Sequence, residues 1–150
     1  MLCASCGTGW WRDGRYLIEA AERSGGPVPA ISLMHHEGPG IEVNMWAEAR
    51  PDGTIVVAGQ DIGPRVEKIW GDMDYEYWLT VHADDRGRLA AVLRDATGED
   101  AASEAGDADP ARTVLLLLRS AYLEGRFRGT SDLARWLAER GIATEFASYA

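Results

Sequence analysis

The sequence predicts an α+β fold: an antiparallel β-sheet with helices packed mainly on one face. Three observations predict it. The stretch Ile41 to His82 alternates apolar and polar residues in strand-like runs. Three later segments repeat apolar residues at helical spacing. Glycine, proline and aspartate stand at the borders of both kinds of segment. A length of 150 residues with 46% apolar composition is ordinary for one globular unit. The expectation is therefore a single α+β domain over 1–150.

The elements follow in chain order. Residues 1–12 have no period. Asp13 is a candidate cap for a short helix over Arg15 to Arg23, stopped by Gly25-Gly26. Ala30 to Met34 reads as a short strand that ends at His35-His36-Glu37-Gly38-Pro39-Gly40. Ile41 to Ala49 is clearer. Ile41, Val43, Met45, Ala47 and Ala49 share one face, and Glu42, Asn44, Trp46, Glu48 and Arg50 the other. Pro51-Asp52-Gly53 suits a three-residue hairpin loop, with glycine in the left-handed position. That loop pairs Arg50 with Thr54. It sets Trp46 opposite Ala58 and Met45 opposite Gly59, large residues against small ones. Gly63-Pro64 ends the second strand. Arg65 to Trp70 fits either a connector or a short strand. Tyr75 to His82 is the third strand, with Tyr75, Tyr77, Leu79 and Val81 facing one way.

Asp84 or Asp85 is expected to cap a helix that runs to about Ala96. Leu89, Val92, Leu93 and Ala96 are its buried stripe, and Gly98 its stop. A mobile acidic loop is expected over about 97–110, because that composition buries too little apolar surface to offset ordering. Asp109-Pro110 then opens a helix to about Glu124. Leu115, Leu116, Leu117, Leu118, Tyr122 and Leu123 make it apolar around much of its circumference, so it is expected to be central. Ser131 is expected to cap the last helix, with Leu133, Trp136 and Leu137 inward. Gly141 fits the left-handed position after it, where Ile142 can reach Leu137. A terminal strand over Ala143 to Tyr149 adds to a sheet.

Composition narrows the function. The net charge is −9, which disfavours nonspecific nucleic-acid binding. The segment from Thr97 to Pro110 carries −5 of that, leaving −4 for the rest of the chain. The body is only mildly acidic, so total charge says little about partners. Among 15 basic residues Lys68 is the one lysine, and Asn44 is the one asparagine. That bias fits GC-rich, bacterial coding. No apolar run is long enough to span a membrane, and the first residues lack a signal-peptide pattern. The expected location is the cytoplasm.

Three groups of residues are candidates for chemistry. Cys3 and Cys6 form a Cys-x-x-Cys followed by glycines, which can supply half of a zinc site. A structural zinc needs four ligands, and no second such pair exists. Zinc there is the one cofactor candidate; otherwise none is expected. Asp72, Asp74 and Glu76 stand at alternate positions, so an extended chain points all three carboxylates one way, a pattern that suits a hard cation. With His82 they make the enzyme alternative, a metal-dependent or hydrolytic activity. No nucleophile motif such as G-x-S-x-G accompanies them, so the balance is against an enzyme. The last group is the polar face of the alternating run. Trp46 and Trp78 lie there with Glu48, Asp74 and Glu76, and with Glu42. A solvated face seldom needs tryptophan. Aromatic anchors ringed by carboxylates match the surfaces that bind basic proteins. The competing reading is a second core, covered by Trp10, Trp11 and the helix over 15–23.

Two phrases support a further expectation. They are Asp74-Tyr-Glu-Tyr-Trp-Leu-Thr-Val81 and Trp136-Leu-Ala-Glu-Arg-Gly-Ile142, the latter followed by Glu145-Phe146. The chain from Gly71 to Ser148, about half of it, resembles small bacterial proteins of the toxin-immunity type. The resemblance implies a protein that binds a cognate toxin and blocks it without chemistry. It brings no functional residues with it, and the Cys-x-x-Cys is not part of it. The leading expectation is a small cytoplasmic protein-binding module of the immunity type, with Trp46, Glu48, Asp74, Glu76 and Trp78 as its contact residues. Nothing in the chain specifies an oligomeric state.

Overall fold

The structure is a computed structural model that describes residues 30–98 and 110–149. It contains a five-stranded antiparallel sheet and four helices. The strands are β1 (Ala30–Gly38), β2 (Ile41–Ala49), β3 (Ile55–Ile62), β4 (Asp74–Val81) and β5 (Thr144–Tyr149). They lie side by side in chain order. The helices are α1 (Pro64–Trp70), α2 (Arg86–Thr97), α3 (Pro110–Leu123) and α4 (Thr130–Ala138). The expected helix at 15–23, the Cys3/Cys6 pair, and the acidic loop from Glu99 to Asp109 lie outside the described residues.

The β2–β3 hairpin forms as its sequence dictates. The Arg50 N–H donates to Thr54 O at 2.8 Å, and Gly53 takes φ 90°. The Asp52 carboxylate accepts the Thr54 N–H at 2.9 Å. Trp46 stands opposite Ala58 and Met45 opposite Gly59. The space over Gly59 is filled from the other side. A Cβ on Gly59 would lie 2.2 Å from the Tyr77 ring, so the tyrosine lies flat across the glycine.

β1 is longer than its sequence suggests. It runs through His35-His36-Glu37 to Gly38 and pairs with β2 to its end. The two-residue loop Pro39-Gly40 explains this, with Pro fixing the first position and Gly40 at φ 73° the second. A bulge between Ser32 and Met34 shifts the register, so His35 falls on the same face as Ser32. The loop is held in place by β3's exit. Arg65 N–H donates to Gly40 O at 3.0 Å, and any Cβ on Gly63 would strike that same oxygen. The ambiguous segment after Gly63 is helix α1, opened by Pro64 at its first turn.

One face of the sheet, here the near face, carries the helices. Ile31, Leu33, Met45, Ala47, Ile55, Val57, Leu79 and Val81 meet Leu89 and Leu93 of α2. Val114, Leu115, Leu117 and Leu118 of α3 and Leu133 and Leu137 of α4 complete that core, with Phe127 and Ile142. α3 is central as expected, yet Leu123 at its end is 68% exposed. Ala121 in the same turn is fully buried and Tyr122 packs on the core, so only the final residue points outward.

Two expected caps are absent. A 3₁₀ turn over Ala83–Asp85 runs straight into α2, so Asp85 is already helical and its carboxylate faces Arg88 at 3.8 Å. At α4 the extended residue is Gly129, and Ser131 lies inside the first turn. Asp132 instead accepts the Arg128 N–H, one residue before the cap position, at 2.9 Å, and no side chain caps the helix. The end of α4 follows expectation: Gly141 has φ 78°, Ile142 N–H donates to Leu137 O at 3.0 Å, and Ile142 is buried.

Candidate functional site

The far face of the sheet, turned away from α2–α4, holds the candidate contact residues. Strand pairing arranges them in rows. One row reads Ser32, Trp46, Ala58, Trp78 and Ala147 across the five strands. The next is polar: His35, Asn44, Gln60, Glu76 and Tyr149. Beyond it lie Glu37, Glu42, Ile62 and Asp74. The alternation of each strand puts every second residue on this face, and the hairpin registers line the strands up.

The tryptophan row is partly a core. Trp46 is 7% exposed and packs with Ala30, Val56 and Ala58, with Trp78 against the same group. The Trp46 Nε1–H donates to Glu48 Oε1 at 3.1 Å, and Arg50 lies 3.5 Å from the other oxygen of Glu48. Trp46 and Glu48 are thus engaged within the sheet. Trp78 is only partly buried.

The polar rows behave differently. Asn44 in β2 and Gln60 in the central β3 are 2% and 3% exposed. The Gln60 Nε2–H₂ group donates to both oxygens of Asp74, at 3.0 and 3.1 Å, and to Glu76 Oε1 at 3.3 Å. Burial raises the pKa of Asp74, and the Gln60 bond opposes that only in part. Burial raises Glu76 as well, helped by the neighbouring Asp74 charge. Among the described residues no arginine or lysine stands within ion-pair distance of either carboxylate. On the opposite flank, Asn44 Oδ1 lies 2.5 Å from His35 Nδ1. Glu37 and Glu42 stand beside that histidine at 3.6 and 3.9 Å. Sequence reasoning missed this group because it ended β1 before His35. The Pro39-Gly40 turn signal was the clue that the strand continues.

The structure separates the residues of the enzyme alternative. Asp72 lies just before β4, where its carboxylate accepts the Asp74 N–H at 3.3 Å. His82 follows the other end of that strand and faces Glu145 of β5 at 3.3 Å. Eight strand residues set the two ends about 25 Å apart. Asp72, Asp74 and His82 cannot act on one substrate atom.

The near face has a second concave feature. A groove of about 760 Å³ opens between β4, β5 and the start of α4, lined by Tyr75, Tyr77, Phe146, Arg128 and Arg135. Trp70 stacks on Tyr75 with ring centroids 4.4 Å apart. Tyr77 reaches Asp61 at 3.5 Å; burial and that carboxylate push its phenol well up. Arg135 is tied to Asp132 at 3.2 Å. Among the described residues no helix is long and apolar enough to cross a membrane. No protein-family model, curated protein or solved structure matches the chain.

Proposed function

We propose that this chain is a protein-binding module of the immunity type, which occludes a basic partner through the β4 side of its far face. The observation that carries the reading is the pair Asp74 and Glu76 beside Trp78. The two carboxylates are half-buried, close together, and joined by a buried glutamine; among the described residues no basic side chain answers them. Partial burial with unbalanced charge costs the fold stability. A cationic side chain from a partner removes that cost, which gives the association a driving force. A partly buried tryptophan next to the pair supplies the apolar contact that such an interface needs. Occlusion demands only complementarity, so no reacting group is required of this face.

Burial and pairing within the sheet favour a smaller contact set. Trp46 and Glu48 support the surface from within, since one is buried and the other is held by Trp46 and Arg50. Asp74, Glu76 and Trp78 are the residues in direct contact.

Co-expression with the polypeptides encoded beside its gene tests the reading. One of them is expected to arrest a host cell, and this chain to restore growth. The charge reversal Glu76→Lys with Asp74→Lys is expected to abolish the rescue while the purified variant stays folded. Full rescue by the folded double variant, or no toxic neighbour, overturns the proposal.

A further inference from the structure

We propose that His35, Glu37 and Glu42 form a binding site for a divalent transition metal of the zinc class, at the end of the β1–β2 hairpin. One ligand atom from each of the three lies within 4.8 Å of the other two. One imidazole and two carboxylates are a donor set that zinc and manganese accept, with the remaining positions left to water.

The buried residue behind the cluster points to a ligand independently. Asn44 is 2% exposed, and its side chain is aimed at the His35 ring, with Oδ1 2.5 Å from Nδ1. A carbonyl oxygen only accepts, so the tautomer that satisfies this contact has its proton on Nδ1 and its lone pair on Nε2. Nε2 faces Glu37 Oε1 at 3.6 Å. In that tautomer Nε2 and Glu37 Oε1 are both acceptors, and a cation held between them bridges the contact. A ligating histidine whose other nitrogen donates to an amide carbonyl is the usual outer-sphere arrangement of metal sites. Two more atoms are left wanting. Glu42 Oε1 is a buried carboxylate oxygen with no hydrogen-bond partner, and Asn44 Nδ2 is a buried donor with none. A metal satisfies the first, and a metal-bound water offers an acceptor to the second.

The site is also able to close. Ligand atoms about 2.0–2.2 Å from one ion must approach each other more closely than they do here. Glu37, with a side chain 69% exposed, is free to swing inward, while Glu42 and His35 are more firmly held. Asp74 and Glu76, the residues of the proposed partner surface, are not in the donor set, so each reading fails or stands without the other.

The test uses the full chain carrying Cys3→Ser and Cys6→Ser, which removes the other metal-binding thiols. After treatment with chelator, Zn²⁺ alone and Mn²⁺ alone are titrated by calorimetry. One saturable equivalent of at least one of the two ions is expected, with a rise in Tm on loading. Glu42→Gln and His35→Ala are each expected to weaken that binding at least tenfold, while Glu76→Gln leaves it unchanged. Glu42→Gln keeps the side-chain shape, so its fold is checked by circular dichroism before titration. No binding of either ion overturns the proposal, and so does binding that both variants leave intact.

Discussion

The two faces of this sheet are built from the same five strands and reach different ends. On the near face the buried apolar strand residues join those of α2, α3 and α4 in one large hydrophobic core. On the far face one row of apolar packing around Trp46 gives way to rows of amides and carboxylates. The first arrangement serves stability alone. The second leaves Asp74 and Glu76 with charges that the described fold does not balance, and sets two buried amides between acidic flanks. A fold has no need of such a row in a sheet centre, where valine or isoleucine packs better. The contrast is the reason we propose the far face as the contact surface.

The comparison breaks first on the largest side chains. Phe127→Ala removes a fully buried ring from the near-face core and is expected to cost about 3–5 kcal/mol in urea denaturation. Trp46→Ala is expected to cost a similar amount, about 3–5 kcal/mol, since its ring is buried over Ala58. Trp78→Ala should cost only about 1 kcal/mol, an ordinary value for a partly buried residue, yet weaken partner binding more than Trp46→Phe does. Equal losses at Trp46 and Trp78 would mean that both are core and that the contact surface is elsewhere.

An intermediate effect is expected where the near face is tightest. Gly59→Ala drives a methyl into the Tyr77 ring and should cost about 1–3 kcal/mol. In a Tyr77→Ala background the same substitution should cost much less, and the double-mutant cycle measures the difference. Additive losses would show that the ring does not depend on the glycine.

The smallest effect has the opposite sign. Burial raises the pKa of Glu76 in the folded state, as it does that of Asp74. Their contribution to stability is therefore complete below the unfolded carboxylate range, near pH 4 and lower, and is lost as pH rises through the folded pKa values. Glu76→Gln removes one of those charges. It is expected to raise Tm slightly at pH 7 and to change nothing near pH 3.5, while weakening binding of a basic partner. A Tm gain that persists at pH 3.5 would show that the effect is not ionisation.

Much of the near face was legible in the chain. Local chemistry dictated the Pro51-Asp52-Gly53 loop, and the loop dictated the register of Trp46 on Ala58. Helical spacing named Leu89, Leu93, Leu115, Leu117, Leu118, Leu133 and Leu137, all buried. The misreadings fall where two local signals compete. His35-His36-Glu37 looks like a turn by composition, yet the strand continues because Pro39-Gly40 is the tighter turn. Asp85 and Ser131 have the right chemistry to cap a helix, but the backbone entered the helix before reaching them. The polar rows were half-legible. The sequence put Glu42, Glu48, Asp74 and Glu76 on one face with both tryptophans, but gave no sign that Asn44 and Gln60 are buried between them.

The sequence by itself determined strands β2 to β5, helices α2 to α4, the β2–β3 hairpin and the division of β2 and β4 into two distinct faces. Those depend on contacts a few residues apart, which spacing and turn chemistry encode. Only the tertiary structure decided which polar residues become neighbours. The bulge in β1 rotates His35 onto the face of Asn44, and the pairing of β3 with β4 brings Gln60 to Asp74 and Glu76. Trp46 and Trp78, alike in the sequence and each one strand in from an edge of the sheet, also part company: Trp46 is buried and Trp78 only partly so. Burial and unbalanced charge belong to the assembled sheet, because they depend on what every other strand brings to the same row.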